Sequence, residues 1–353
     1  DHRDLHLSIR RQRQMCIRDR AILGRRLNVK QSHHRKPTID IDRGKAVVST
    51  RLPSPLKLYL ILPLFSSITF VMAMLFFKRA TIYNVGVWRT TFVSNFISGT
   101  CFLILLPFGE GTIDPLKLWQ PLVTGALFVG GQALTMLALE KGDVSVATPT
   151  LGVKTIIVAW LSVLLLAVEI PWQLWMSAVM TFLAVGLLSV QPPSSGDSHG
   201  RSRATIMTIA IAFLSAVSYS IFDVLVQKWG ATWSAGYFLP LTFGFCALLS
   251  FGFIPLFSRG LSTIPRTAWR WLLGGSAFMT AQALAMVTAL AVFGDATSMN
   301  VVYSSRGLWS VVAVWLIGHW FANTESRTGP RVMCFRLAGA LLMTFAIVVT
   351  FAT

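Results

Sequence analysis

Apolar segments of about 20 residues recur along the chain from Leu56 onward, and each is long enough to cross the hydrocarbon core of a bilayer as an α-helix. Short polar turns separate these segments. The pattern predicts an all-α integral membrane protein with ten transmembrane helices. The predicted spans are 56–77, 86–107, 116–138, 145–167, 172–190, 205–227, 236–257, 268–290, 298–320 and 332–352.

The longest polar stretch between predicted helices is QPPSSGDSHGRSR at residues 191–203, which is rich in Pro, Ser and Gly. It follows the fifth predicted helix and therefore divides the ten predicted helices into two groups of five. We interpret residues 1–55 as a basic polar tail, 56–190 as a first five-helix repeat, 191–203 as a linker and 204–353 as a second five-helix repeat.

The two halves share residues at nearly constant offsets. The third predicted helix reads GALFVGGQALTM from Gly125, and the eighth reads GSAFMTAQALAM from Gly275, so the offset is 150. Because five is odd, a second five-helix unit would enter the membrane upside down, which is typical of secondary transporters. With an offset of 152, Gly142-Asp143 match Gly294-Asp295, and Lys154 matches Arg306.

Composition excludes several classes of protein. Hydrophobic residues make up 54% of the chain and charged residues 13%, whereas soluble domains carry roughly 25% charged residues. An ordinary soluble enzyme is therefore excluded, and so is a disordered chain. No HExxH, GxSxG or Walker A motif is present, and the 4 Cys have no metal-ligand spacing. The sequence therefore predicts no catalytic residue, no metal and no cofactor.

The net charge of +17 is concentrated at the N-terminus. Residues 1–57 hold 15 Lys and Arg against 5 Asp and Glu. No nucleic-acid-binding motif accompanies this basic run, so anionic lipid head groups are the favoured partner. Two interpretations of the tail stay open: a disordered cytoplasmic arm, or translated flanking sequence that is not native.

The body resembles the EamA-like ten-helix branch of the drug/metabolite transporter superfamily over residues 56–352. Arg89 resembles a recurrent Arg of that family near the start of the second helix. The stretch WLSVLLLAVEIPWQLWMSAVMTFLAVGLLSV at 160–190 resembles its signature for the fourth and fifth helices, with Glu169 and Gln173 in the matching positions.

This sequence departs from the family pattern in two places. AVE stands where a Gly-Glu pair is usual, and His319 occupies the place of the corresponding Glu in the second half, with Glu325 six residues later. The resemblance implies a secondary transporter and says little about the solute. A basic residue in both the fourth and ninth helices also resembles the plastid sugar-phosphate translocators of the same superfamily.

Lys154 and Arg306 fall near the middle of their predicted helices. Each costs roughly 2.5–3.5 kcal/mol to insert into a bilayer, so both should face the bundle interior and a partner or water. Asp223 is the only acidic residue well within a predicted span. One positive charge would therefore remain, and an anionic solute with a carboxylate, phosphate or sulfate group would complete the site.

Polar residues beside the two cations extend the expected site. In the ninth helix Tyr303, Arg306 and Ser310 have the spacing of one helical face. The other expected substrate-binding residues are Asn300, Thr150, Gln132 and Gln282.

Structural interpretations of the same residues stay open. Lys154 and Asp223 could form an ion pair, and Arg306 could bind backbone carbonyls of a broken helix. Gln132 and Gln282 could hydrogen-bond between helices. For Arg89 we favour a role in helix packing over substrate binding.

The sequence thus predicts a secondary transporter that moves a small anionic or zwitterionic organic metabolite by alternating access, through exchange or a gradient. One alternative is a proton-coupled exporter of neutral or cationic compounds that uses Asp223. Another is a membrane protein that handles a lipid phosphate. The expected location is a cell membrane of the bacterial inner type. The expected partners are a small-molecule solute and the lipid bilayer, without nucleic acid. A homodimer is compatible with the sequence. Orientation stays open, because the basic loops and the basic tail lie on opposite sides.

Overall fold

The computed structural model describes residues 57–141, 150–189, 201–317 and 330–353, all within the unit formed by residues 53–353. These residues form α-helices and short 3-10 helices, with no strand among them. The α-helices are α1 (Ile61–Thr81), α2 (Val87–Phe102), α3 (Trp119–Lys141), α4 (Lys154–Leu166), α5 (Trp172–Leu188), α6 (Arg201–Trp233), α7 (Ala235–Leu249), α8 (Arg266–Phe293), α9 (Ala296–Tyr303), α10 (Arg306–Ile317) and α11 (Pro330–Ala352).

Several sequence predictions fall outside the described residues: the tail at 1–55, the Gly142-Asp143 pair, His319, Glu325 and most of the linker. The end of that linker was predicted wrongly, because α6 already begins at Arg201.

Six helical segments are long and apolar enough to cross a membrane within the described ranges. Two shorter apolar helices accompany them, at Thr150–Leu166 and Trp172–Leu188. The prediction of an all-helical membrane fold is confirmed at this level. The six long segments are Leu58–Thr81, Val87–Phe108, Ile206–Trp233, Ala235–Leu256, Arg266–Phe293 and Cys334–Ala352.

The distribution of side chains suits a bilayer. Large apolar residues such as Phe65, Ile104 and Trp160 point outward and are about half exposed or more, whereas small polar residues such as Ser215 and Thr242 are completely buried. Lipid tails are as apolar as these outward residues, so helix association depends on close packing and interhelical hydrogen bonds rather than on hydrophobic burial. The interior is consequently rich in hydroxyl groups.

Glycines allow two helices to approach α7 closely. A Cβ atom on Gly99 of α2 would lie 2.9 Å from the carbonyl oxygen of Phe243, and one on Gly125 of α3 would lie 2.9 Å from that of Thr242. Any larger residue would therefore push these helices away from the α7 backbone.

The predicted ninth helix at 298–320 is wrong as a single helix. A turn at Ser304–Ser305 separates α9 from α10, so the spacing of Tyr303 and Ser310 about Arg306 does not describe one continuous face. Two backbone bonds at this turn are of the i to i−3 type, from Ser305 N to Val302 O (3.1 Å) and from Gly307 N to Ser304 O (3.1 Å), while Ser304 N keeps the helical bond to Asn300 O (3.0 Å). Short 3-10 stretches inside a helix often mark a hinge.

A similar break precedes α4. The helical residues Thr150–Gly152 are followed by a turn at Val153, and α4 begins at Lys154. Val153 N donates to Thr150 O (3.2 Å) and Ile156 N to Val153 O (3.0 Å), again in the 3-10 pattern. Lys154 and Arg306 are thus each the first residue of a helix that follows a break.

Helix contacts between the two halves come in exchanged pairs. We take α6, α7 and α8 as the counterparts of α1, α2 and α3, and the α9–α10 pair as the counterpart of α4. The contact of α1 with α8 then corresponds to that of α6 with α3, and the contact of α2 with α8 to that of α7 with α3. The contact of α4 with α6 corresponds to that of α9 and α10 with α1. In the contacts of α2 with α7 and of α5 with α11, each helix packs on its own counterpart in the other half. Some contacts have no counterpart of similar extent, among them those of α6 with α8 and of α6 with α7.

Candidate functional site

Lys154 and Asp223 form an ion pair in the interior. Lys154 Nζ lies 2.8 Å from Asp223 Oδ2, and the side chains are 16% and 4% exposed. The same oxygen accepts a hydrogen bond of 2.7 Å from Asn300 Nδ2, which brings α9 to the pair. The ring of Tyr219 lies beside the ammonium group, with 5.6 Å between Nζ and the ring centroid. The charge of Lys154 is therefore compensated within the protein.

Arg306 has a different environment. Its guanidinium carbon lies 5.0 Å from the ring centroid of Phe70 and 4.9 Å from that of Tyr303. Within the part of the chain that the structure describes, the ion pairs are Lys57–Asp295, Lys117–Asp114 and Lys154–Asp223, so no carboxylate pairs with Arg306. Arg306 is half-buried. It is thus an interior cation that contacts aromatic rings rather than a counter-ion.

Helix α9 connects the surroundings of the two cations. Its Asn300 contacts the carboxylate of Asp223, and the ring of its Tyr303 contacts Arg306. Together with the carboxylate of Asp223, the cluster carries one positive charge more than negative charges. A site with this balance can accept a single anionic group from a ligand.

The two predicted glutamines have different partners. Gln282 accepts a hydrogen bond of 3.0 Å from Tyr303 Oη and is 8% exposed. Gln132 instead accepts one of 2.8 Å from Asn95 Nδ2, which also donates to Ser250 Oγ at 2.7 Å. The structure therefore connects Gln282 to the cluster around Arg306, whereas Gln132 links α2 and α3.

Thr150 lies one turn ahead of Lys154, on the other side of the break. Its carbonyl oxygen accepts from Val153 N (3.2 Å), so it forms part of the turn that positions Lys154. Its side chain is half-buried.

Arg89 lies apart from this cluster. Its guanidinium donates to the carbonyl oxygens of Asn84 (2.5 Å) and Gly260 (3.3 Å) and to Thr263 Oγ1 (3.2 Å). These contacts tie the start of α2 to the loop before α8. A recess of about 220 Å³ beside Arg89, lined also by Trp88 and Phe257, contains none of the cluster residues. Glu169 is exposed in the turn between α4 and α5.

Sequence reasoning missed the aromatic and hydroxyl residues that surround the cations. Phe70 and Tyr219 contact Arg306 and Lys154, and an aromatic residue in an apolar helix has no distinguishing signal. Ser67 Oγ lies 2.9 Å from Ser305 Oγ at the second break. Ser220 Oγ lies 3.3 Å from the carbonyl oxygen of Lys154 at the first.

A second missed feature is a group of contacts around Asp295, which we call the Asp295 clasp. Tyr59 Oη donates to Asp295 Oδ2 (2.5 Å), and Lys57 Nζ lies 3.6 Å from the same oxygen. The ring of Tyr59 stacks on Phe293 at 5.0 Å. The other oxygen of Asp295 caps α9 by accepting from Ser298 N (3.1 Å).

The Asp295 clasp also includes α6. Gln227 donates from Nε2 to the carbonyl oxygen of Gly294, and its Oε1 accepts from Ala296 N (3.1 Å). The clasp thus holds the beginning of α1, the end of α8, α6 and the first turn of α9 together.

Comparison with known proteins agrees with this architecture. A solved structure described only as "Crystal structure of protein" matches with a TM-score of 0.58 and 15% identity, over 84% of this chain and 99% of the other. At this identity the likeness shows the fold alone. No curated protein matches the chain.

Residues 57–190 match the model of the EamA-like transporter family. They contain α1 to α5, with Lys154, Arg89 and the 160–190 stretch that carries the sequence resemblance, and that resemblance is confirmed. Several apolar helices and this family together indicate a multi-pass membrane protein. Over residues 57–190 the chain is therefore similar to the EamA-like transporter family, part of the drug/metabolite transporter superfamily, whose members are membrane transporters of small molecules.

Proposed function

We propose that the protein is a secondary transporter that moves a small anionic or zwitterionic organic metabolite by alternating access, with Arg306 as the group that binds its anion. The observation that carries the proposal is the contrast between the interior cations. Lys154 has a carboxylate partner at 2.8 Å, and Arg306 has none among the described residues. A guanidinium fork suits a carboxylate, to which it can donate two parallel hydrogen bonds.

The proposed inverted repeat is supported by the exchanged helix contacts and by the matching breaks. Lys154 and Arg306 are 152 residues apart, and each begins the helix that follows a 3-10 turn. In transporters of this type, broken helices near the midplane of the bilayer commonly hold the solute. The ten-helix organisation, with α9 and α10 as the two parts of one span, follows from the same correspondence.

Alternating access is supported by where flexible and fastened elements occur. The 3-10 turn at Ser304–Ser305 gives the backbone a place to bend next to Arg306. The Asp295 clasp fastens α1 to α9 at one end of the bundle. Release of this clasp would open that end of the bundle to solvent.

The test starts with purified protein in detergent and a thermal-shift screen of organic anions, cations and neutral metabolites. A ligand that binds the folded state raises the apparent melting temperature by mass action. We expect organic anions to give the shift, and flux of the best anion in proteoliposomes to fall at least tenfold in Arg306→Gln. Arg270→Gln is the matched control, because Arg270 is exposed and stacks only on Trp271.

An equal response of Arg306→Gln and wild type to the anion would contradict the proposal. A second candidate is a proton-coupled exporter, which the burial of Asp223 (3% exposed) favours. In that case flux would be lost in Asp223→Asn and retained in Arg306→Gln.

A further inference from the structure

Helices α1 and α6 share several residues at an offset of 153 where they face the two breaks. Ser67-Ile68 of α1 match Ser220-Ile221 of α6, and Val71 matches Val224. The contacts agree with this register. Ser67 reaches the break before α10 through Ser305 Oγ (2.9 Å), and Ser220 reaches the break before α4 through the carbonyl oxygen of Lys154 (3.3 Å). A serine of each half therefore hydrogen-bonds at the break in the other half.

The same register places Phe70 where α6 has Asp223. The residue three positions after the serine faces the cation in both cases. Asp223 Oδ2 lies 2.8 Å from Lys154 Nζ, and the Phe70 ring centroid lies 5.0 Å from the guanidinium carbon of Arg306. The two halves thus build the same surroundings for a cation, and they differ in whether a carboxylate or a ring faces it.

This difference determines which cation remains available. A carboxylate beside Arg306 would pair with it, often through two parallel hydrogen bonds, and would compensate its charge. An aromatic ring attracts the cation through its quadrupole and leaves the net charge in place. Arg306 has no carboxylate partner among residues 57–141, 150–189, 201–317 and 330–353, so it can still attract an anion, whereas Lys154 is already paired.

We propose that Phe70 is a specificity-determining residue, which keeps Arg306 uncompensated and so sets the solute class to compounds that present one carboxylate beside an apolar or aromatic body. The inference rests on the proposed function and adds the residue that makes it selective. Phe70 and Tyr303, whose rings both contact the guanidinium, supply the apolar surface next to the bound carboxylate.

The experiment measures benzoate binding to the purified full chain by isothermal titration, with benzamide as the uncharged analogue. Asp and Asn differ in charge and hardly in size, so Phe70→Asp and Phe70→Asn form a matched pair. We expect Phe70→Asp to bind benzoate at least tenfold more weakly than Phe70→Asn, and benzamide binding to be equally weak in both. Equal benzoate affinity of the two variants would overturn the proposal, as would the absence of benzoate binding to wild type.

A second pair of variants decides the matter if Phe70→Asp does not fold. Arg306→Gln should lose benzoate binding, and Arg306→Gln with Asp223→Asn should regain at least tenfold, because Lys154 then becomes the uncompensated cation. Failure to regain affinity would overturn the role assigned to the facing residue. If Arg306→Gln binds benzoate as tightly as wild type, the proposed function itself is wrong. This outcome is distinct from a failure of the Phe70 proposal, which the Phe70→Asp and Phe70→Asn pair tests.

Discussion

Lys154 and Arg306 occupy corresponding places in the two halves, yet their surroundings differ in kind. Lys154 is held by Asp223, which Asn300 also contacts, whereas Arg306 lies against the rings of Phe70 and Tyr303. A buried charge that has a partner contributes to the structure, and removal of the partner is costly. A charge without one is available to a ligand. The comparison shows that one local arrangement, a cation at the start of a helix after a break, can hold either a charge with a counter-ion or one without a described counter-ion.

The largest expected effect comes from breaking the ion pair on one side only. Asp223→Ala would leave Lys154 without its counter-ion and should lower the free energy of unfolding by about 3–5 kcal/mol. Arg306→Ala removes contacts with the rings of Phe70 and Tyr303 and no ion pair with a described residue, so a loss of about 0.5–2 kcal/mol is expected. Unfolding in mixed micelles, followed by circular dichroism, measures both variants.

A double variant controls for the loss of size and polarity at that site. Lys154→Met with Asp223→Leu removes both charges and should recover most of the stability lost in Asp223→Ala. If Asp223→Ala and Arg306→Ala were equally stable, the distinction between the two cations would be wrong.

A smaller effect is expected at Tyr303, where ring and hydroxyl can be separated. Tyr303→Phe retains the ring beside Arg306 and removes the donor to Gln282 Oε1, which should cost about 1–3 kcal/mol of stability. Anion affinity should change little, because the ring remains. Tyr303→Leu also removes the ring and should weaken anion binding further. Titration of the two variants with the same anion separates these contributions, and equal affinities would contradict a role for the ring.

The smallest effect concerns the Asp295 clasp, which fastens the second half at the end of α1. Asp295→Ala removes the cap of α9 and should destabilise that helix by about 0.5–2 kcal/mol, so its backbone amides should exchange faster with deuterium. Asp295→Asn is the control, because Asn caps a helix as well as Asp, while the charge opposite Lys57 and the acceptor for Tyr59 Oη are lost. Unchanged exchange in Asp295→Ala would show that other contacts position α9.

Sequence reasoning found the all-helical membrane character and the family resemblance, because apolar length is a strong signal. The equivalence of Lys154 and Arg306 stays a prediction from their offset of 152. It missed the break at Ser304–Ser305, since serine side chains can redirect helical hydrogen bonds and a single glycine such as Gly307 is common in membrane helices. Ser304 Oγ bonds to the carbonyl oxygen of Asn300 at 2.8 Å, one turn earlier. The register of α1 against α6 became visible only through contacts, because a phenylalanine in an apolar helix looks unremarkable.

The helix α9 links the two features that distinguish the second half. All eight of its residues, Ala296–Tyr303, are buried, so no face of it is free to slide past a neighbour without disturbing packed atoms. At 1.5 Å per residue it is about 12 Å long, with the Asp295 clasp at one end and the turn before Arg306 at the other. It should therefore move as a rigid unit. Release of the Asp295 clasp and displacement of the Arg306 guanidinium should then occur together.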